Sequence, residues 1–196
     1  MSEHVKYIQT LPFNTLIDMG CGTGDTIVEI ADLRSQAYFI GLDVDDSALG
    51  KARERIRDGL RIIRVDFVCG NCSSVPLAAD SVDVIIFRAL LHHIEQIECA
   101  FDEAKRILRK GGFLLIQDGE EIPMPLFEEM NTALRQGELP PEIHPGFNID
   151  KLTEQLKKHN LVTEAVIREG VATFATPPYV PKVYSTGLFL LSARKI

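Results

Sequence analysis

Apolar positions along the chain fall into two alternating patterns: short dense runs, and longer stretches where they recur every third or fourth residue. TLIDM (15–19), YFIGLDV (38–44) and SVDVIIF (81–87) are dense runs, and such runs read as strands covered on both faces. RIIRVDFVCG (61–70) alternates instead, which places Ile63, Val65, Phe67 and Cys69 on one side. FLLIQD (113–118) predicts a fifth strand. Helical spacing separates these runs. Ile27, Ile30, Ala31 and Arg34 share one face of DTIVEIADLR. Leu49, Ala52 and Ile56 form the inward stripe of a helix that Ser47 is placed to cap. Ile97, Phe101, Ala104 and Leu108 do the same from about Glu95 to Arg109, with a stop at Gly111-Gly112. Strand and helix units repeated in this way predict an α/β fold: a parallel sheet with right-handed crossovers and helices on both faces.

The last third changes character. Residues 119–147 hold Pro123, Pro125, Pro140, Pro141 and Pro145 around one helical patch, PLFEEMNTALRQG. This stretch is too long and too apolar for a plain connector, so it is expected to pack as an insert. Asn148 caps a further helix with Leu152, Gln155, Leu156 and His159 on one side. Two closing strands follow, VTEAVIREGVATFA and TGLFLLSARK, and the three prolines of TPPYVPKVYS hold the link between them extended.

With 196 residues, 45% hydrophobic and 25% charged, the chain is expected to form one domain, 1–196, with a core that needs no staples. A net charge of −7 argues against broad binding to nucleic acid or an anionic membrane. The basic run from Lys51 to Arg64 is interrupted by acids and reads as a solvated face. MSEHVKYIQTLPF has neither the basic start nor the apolar centre of a secretion signal, and no apolar stretch approaches the ~18–20 residues of a membrane helix. Four cysteines in that setting point to reduced thiols and a cytoplasmic location. Cys69 and Cys72 form a CxxC with no second pair and no neighbouring histidine, so no metal is expected there.

The candidate chemistry sits in LIDMGCGTGD (16–25), where three glycines follow an acid at every second position. A strand, a Gly-rich turn and a helix start favour an anionic or acceptor group through unpaired backbone N–H groups. The dinucleotide pattern GxGxxG fails in both registers, because Asp25 or Ile27 stands where its last glycine belongs. A phosphate-binding loop ending in GK[ST] is also absent. What remains is Gly20-x-Gly22-x-Gly24 preceded by Asp18.

That stretch resembles motif I of the class I S-adenosylmethionine-dependent methyltransferases, an acid followed by GxGxG. Further stretches are similar to the same family in the same order: GLDV with Asp43, CGNCSSVPLAADSVDVIIF followed by LLHHI, and RILRKGGFLLIQD. The nearest branch looks like the small-molecule methylases typified by quinone-biosynthesis enzymes. The resemblance implies a Rossmann-like, doubly wound, seven-stranded sheet, mostly parallel with an antiparallel last strand. It implies S-adenosylmethionine as cofactor, held by Asp18, Gly20, Cys21, Gly22, Gly24, Asp43, Val44, Asn71, Cys72 and Arg88. Asp43 is the family's acid for the ribose hydroxyls. Asn71 stands where the family usually has an aspartate for the adenine amine, and its amide oxygen still accepts. Little chain precedes the first strand, so little N-terminal cover is expected over the cofactor.

Methyl transfer from a sulfonium is an in-line displacement that depends chiefly on alignment. A base is required only where the acceptor must lose a proton. His92 and His93, just past the fourth strand, are the candidates, and packing or capping in the turn is their alternative role. Arg88 reads either as a partner for a carboxylate of substrate or cofactor or as a structural residue. A sixth strand parallel to the first five would bring Tyr179, Lys182 and Tyr184 over the substrate entrance. The insert would add Met124, Phe127, Met130, His144 and Phe147, either as an apolar wall or as its own anchor. The expected activity is methylation of a small-molecule acceptor, with a homodimer as a possible assembly. A non-catalytic cofactor-binding sensor or partner subunit is the alternative, and RNA or protein methylation fits the acidic charge less well.

Overall fold

The computed structural model describes residues 3–31, 33–59, 64–135, 144–175 and 183–196. Strands β1 (Thr15–Met19), β2 (Tyr38–Asp43), β3 (Arg64–Cys69), β4 (Val82–Arg88) and β5 (Leu108–Gly119) alternate with helices α2 (Asp25–Ala31), α3 (Asp46–Gly59) and α4 (Ile97–Ile107). Helix α1 (Glu3–Thr10) precedes them, and α5 (Met124–Arg135), α6 (Ile149–Lys158), β6 (Leu161–Ala175) and β7 (Val183–Lys195) follow. The seven strands form one sheet in the order β3-β2-β1-β4-β5-β7-β6. β1 to β5 pair in parallel. β7 is antiparallel to both β5 and β6, so β6 runs in the direction of the first five strands. This is the expected seven-stranded α/β sheet with its antiparallel last strand.

Side chains alternate across each strand, and the two faces collect separate cores. Ile17, Met19, Ile85, Phe87, Leu114 and Ile116 face α4 and α6, meeting Ala100, Phe101, Ala104, Leu152 and Leu156. Leu16, Phe39, Val84, Ile86 and Leu115 face the other way, toward Val5 and Ile8 of α1, Ile27 and Ile30 of α2, and Leu49 of α3. Asp18 therefore lies on the second face, between strand residues that are otherwise apolar.

Two local expectations are corrected. The helical period predicts α4 continuing to Arg109, yet Leu108 adopts extended backbone (φ −70°, ψ 133°) and starts β5. Gly111 and Gly112 lie inside that strand, opposite an irregularity between Val82 and Val84. A Cβ on Gly112 would sit 2.8 Å from the Asp83 carbonyl oxygen, so the glycine serves a close backbone approach instead of a helix stop. Asp45, not Ser47, caps α3: its Oδ1 accepts from the amides of Ser47 and Ala48 at 2.9 and 3.2 Å. The N-terminal residues also take part in the core. Val5 and Ile8 of α1 are buried against the core, and Arg34 ties down the end of that segment by donating to the carbonyls of Gln9 and Leu11. The Asn148 cap holds, with its side chain accepting from the Lys151 amide at 3.1 Å.

The insert is strapped to the end of β5. Glu120 and Phe147 form a parallel bridge, and Ile122 N–H donates to the Pro145 carbonyl at 2.8 Å. Gly146 makes this possible, since it has φ +73° and a Cβ there would lie 2.0 Å from the Glu120 carbonyl oxygen. Gly146→Ala is accordingly expected to lower stability by about 2 kcal/mol or more, read as a fall in the urea midpoint. An unchanged midpoint would show that this strap contributes nothing. Phe101→Ala, at a fully buried position, is the reference for the α4 core and costs about 3–5 kcal/mol.

Candidate active site

The strand order reverses between β1 and β4, and the crevice outside the carboxyl ends of such strands is where ligands bind in open α/β sheets. The chemistry-bearing residues converge on that edge. Asp18 and the glycine turn close β1, Asp43 ends β2, Asn71 follows β3, Arg88 ends β4, and Asp118 stands near the end of β5.

Hydrogen bonds to the end of β2 hold the glycine turn. The amides of Gly20 and Cys21 both donate to the Leu42 carbonyl, at 2.7 and 3.0 Å. Gly22 N–H donates to Asp43 Oδ2 at 2.7 Å, while Asp43 Oδ1 accepts from the Asp45 amide at 2.9 Å. Gly20, Gly22 and Gly24 all have positive φ, of +73°, +51° and +77°, which L side chains avoid. They differ in what surrounds them. A Cβ on Gly20 would meet Leu90 at 2.6 Å and one on Gly24 would meet Ala52 at 3.3 Å, whereas no described atom lies within 4 Å of a Cβ on Gly22. Two glycines thus serve packing within the protein, and the third presents bare backbone to open space. Burial pushes the Cys21 thiol up, well above the usual range, so it is inert.

Asp18 is 1% exposed, and neither of its oxygens has a hydrogen bond of ordinary geometry among the described residues. Burial lifts its pKa to about 7, opposed by the neighbouring Thr26 hydroxyl and the Arg88 charge. Arg88 donates to Thr26 Oγ1 at 3.3 Å, which holds the guanidinium on this side of the crevice. On the β2 and β3 side, Gly70 N–H donates to the Asp43 carbonyl at 2.9 Å and so brings Asn71 and Cys72 beside Asp43 and Val44. Val44 is 70% exposed, an apolar side chain left without cover. The Asn71 side-chain oxygen accepts from its own turn, at the Ser73 amide (2.8 Å), and keeps one lone pair for an outside donor.

A cavity of about 500 Å³ adjoins this cleft, lined by Arg88, Ala89, His92, His93, Gln117, Asp118, Ile122, His144 and Leu188 among others. His92 and His93 lie in the short 3₁₀ turn Leu91–His93 that follows β4. His92 Nδ1 meets Asp118 Oδ1 at 2.7 Å, and Asp118 is 6% exposed. A carboxylate oxygen only accepts, so Nδ1 is the nitrogen that carries a proton in this contact. The insert delivers His144 to the same place: its ring centroid lies 4.4 Å from that of His92 and 5.1 Å from that of His93.

The site residues named from the sequence divide as follows. The residues expected from the sequence to hold a cofactor, from Asp18 to Arg88, stand in or just after β1, β2, β3 and β4 at the crevice edge, and His92, His93 and His144 share the cavity. Met130 is fully buried with Ile122 and Ala133 in the insert's own apolar cluster, and Phe127 packs against that cluster. Neither lines the cavity, because the insert needs their apolar volume to fold onto β5. Tyr179 and Lys182 lie outside the described residues. Tyr184 pairs with Phe174 in β7, and its side chain lies outside them too. Asp118 was reachable from the sequence only as a strand-end acid; nothing along the chain links it to His92.

A seven-stranded sheet of order β3-β2-β1-β4-β5-β7-β6 with β7 antiparallel, a Gly-rich turn after β1 and an acid at the end of β2 is the arrangement of a class I methyltransferase domain. Residues 14–167 match the family described as methyltransferase domain, and the chain belongs to that S-adenosylmethionine-dependent family. It is 32% identical over 119 residues to the ubiquinone/menaquinone biosynthesis C-methyltransferase UbiE of Sinorhizobium fredii, covering 60% of this chain and 46% of that protein. The Rhizobium meliloti UbiE is 33% identical over the same length. The chain spans about half the length of these curated relatives. Among solved structures, an S-adenosylmethionine-dependent methyltransferase from Methanosarcina mazei superposes with a TM-score of 0.77 at 16% identity, over 98% of this chain and 97% of that one. YcgJ from Bacillus subtilis gives 0.74 at 16% identity over 98% and 96%.

The raised Asp18 pKa has a thermodynamic consequence in the ligand-free protein. Folding holds a proton on this group up to about pH 7, while the unfolded chain releases it near 3.8. The folded state binds more protons between those values, so Asp18 makes stability fall as pH rises across that window, by up to about 4 kcal/mol. Asp18→Asn removes the effect. Its stability relative to the parent is expected to improve between pH 4 and pH 7 and then level off, as measured by urea unfolding at each pH. A difference that stays flat would mean that Asp18 is not held protonated.

Proposed function

We propose that this chain transfers the methyl group of S-adenosylmethionine to a small, partly apolar acceptor held in the cavity beside the glycine turn. The observation that carries this reading is Gly22: left-handed backbone, open space where a side chain would be, and an amide bonded to the Asp43 carboxylate. The residues present fit the cofactor. Asp43 offers acceptor lone pairs to a pair of hydroxyls, Val44 offers an uncovered apolar surface to a flat base, and Asn71 offers an amide oxygen to an exocyclic amine. Asp18, buried with no hydrogen bond of ordinary geometry among the described residues, suits a cationic ammonium. Bound there, the cofactor supplies an electrophilic methyl on a sulfonium. The chain aligns that methyl with the acceptor.

The cavity supports a small acceptor in size, since ligand sites of about 300–1,000 Å³ suit drug-sized molecules. Leu188 and Ile122 give it apolar wall, and His92, His93 and Arg88 give it polar ends. The insert over 119–147 acts as the cap that carries His144 to it. The UbiE relatives, by name, methylate carbon in quinone biosynthesis, and a related aromatic acceptor is one chemistry this cavity would admit.

Isothermal titration tests the cofactor assignment. The parent binds S-adenosylmethionine with a submillimolar Kd. Gly22→Val weakens it roughly 100-fold, because the added side chain occupies the open face. Asp43→Asn weakens it roughly 10–100-fold, through loss of charge-assisted bonds. Undiminished binding in folded Gly22→Val would overturn the reading. Transfer itself is read as S-adenosylhomocysteine formed with a panel of small phenols, quinols, thiols and amines.

A further inference from the structure

We propose that His92, His93 and His144 form a binding site for a late first-row divalent metal ion such as Zn²⁺, at the acceptor end of the cavity. One ligand atom from each residue lies within 4.8 Å of the others. Imidazole nitrogen is the donor that zinc and its neighbours in the series prefer. Tetrahedral ligation brings such nitrogens to about 3.3 Å from one another, so the site contracts on loading. His93 is exposed, and rotation about its χ1 and χ2 is available to close the gap.

Two further observations point to a ligand. His92 donates Nδ1–H to Asp118 at 2.7 Å, the carboxylate–histidine arrangement that fixes the tautomer and raises the basicity of metal-binding imidazoles. Asp118 is itself anchored, with Oδ1 also accepting from the Gly119 amide at 2.8 Å, while its buried Oδ2 has no hydrogen-bond partner among the described residues. Second, the backbone is built to carry His144 here. Phe147 N–H donates to the Gly119 carbonyl at 2.9 Å, and Gly146 takes a left-handed conformation against Glu120. Stacking alone would not require a carboxylate behind one ring and a glycine strap behind another.

Three protein ligands leave a fourth position facing the cavity, the pattern of catalytic and not of closed structural zinc. An acceptor hydroxyl, thiol or amine bound there loses its proton more readily. Its lone pair then forms the bond to the methyl carbon as the carbon–sulfur bond of the sulfonium breaks. The products are the methylated acceptor, S-adenosylhomocysteine and one proton released to solvent, with no change in the metal's oxidation state. The role in transfer rests on the methyltransferase reading, whereas metal binding does not.

The test uses the full chain freed of metal by dialysis against a chelator. Zinc chloride is titrated in competition with a chromophoric chelator, and cobalt(II) chloride is titrated while the visible d–d bands are followed. One equivalent is expected, with cobalt bands of four- or five-coordinate intensity. His93→Gln and His144→Gln each weaken zinc uptake roughly 100-fold or more, and Asp118→Asn roughly 10–100-fold. A Cys69→Ser/Cys72→Ser variant keeps one equivalent, which separates the histidines from the thiols. The proposal is overturned if the parent takes up no stoichiometric zinc, if uptake survives in a folded His93→Gln/His144→Gln variant, or if it disappears with the cysteines. A parallel titration with S-adenosylmethionine distinguishes the two readings: failure there defeats the cofactor assignment and leaves the zinc result standing.

Discussion

The Asp43 carboxylate holds the functional edge of this protein together. One oxygen accepts from Gly22 and the other from Asp45, so a single side chain at the end of β2 fixes both the turn after β1 and the entry to α3. Each such bond, to a charged acceptor, contributes about 1.5–3 kcal/mol. The turn in consequence has little freedom to collapse over the crevice, and the bare face at Gly22 stays presented. A carboxylate already in place and partly satisfied is well suited to take hydroxyl donors, because its orientation costs nothing further on binding.

Asp18 works in the opposite sense. The sheet buries it on an otherwise apolar face and gives neither oxygen a bond of ordinary geometry. Such a group destabilises the ligand-free fold, and burial answers by holding the proton on it. A cationic group bound beside it, as the proposed function has it, would relieve that cost. On the proposed reading, instability built into the empty site becomes affinity in the filled one, the exchange expected where a functional residue breaks a folding rule.

The cavity depends on a different constraint, the strap that joins the insert to β5. The bridge between Glu120 and Phe147, and the tight approach at Gly146, carry His144 back to the turn after β4. Two halves of one polar site are then supplied by segments far apart along the chain. Met130, Ala133 and Ile122 supply the apolar cohesion of the insert, which is why Met130 and Phe127 of α5 pack inward and leave the cavity wall to others, while Met124 at the start of α5 stays exposed.

Much of this was written locally. Dense apolar runs and helical spacing determined β1, β2, β4 and the stripes of α2, α3, α4 and α6, because period-2 and period-3.6 burial needs no knowledge of neighbours. The acid and glycines of 18–24 were legible because positive φ and close approach select glycine whatever the sequence elsewhere. The end of α4 was not legible. Leu108 is buried in either conformation, and only the approach of the Asp83 carbonyl beside Gly112 makes strand the answer. The three glycines looked equivalent along the chain, and only packing shows that Leu90 and Ala52 fill the space beside two of them. The meeting of His92 with Asp118, and of His92 and His93 with His144, was likewise decided by the tertiary structure. Contacts between residues that no local period relates exist only once sheet order and insert strap have placed their backbones.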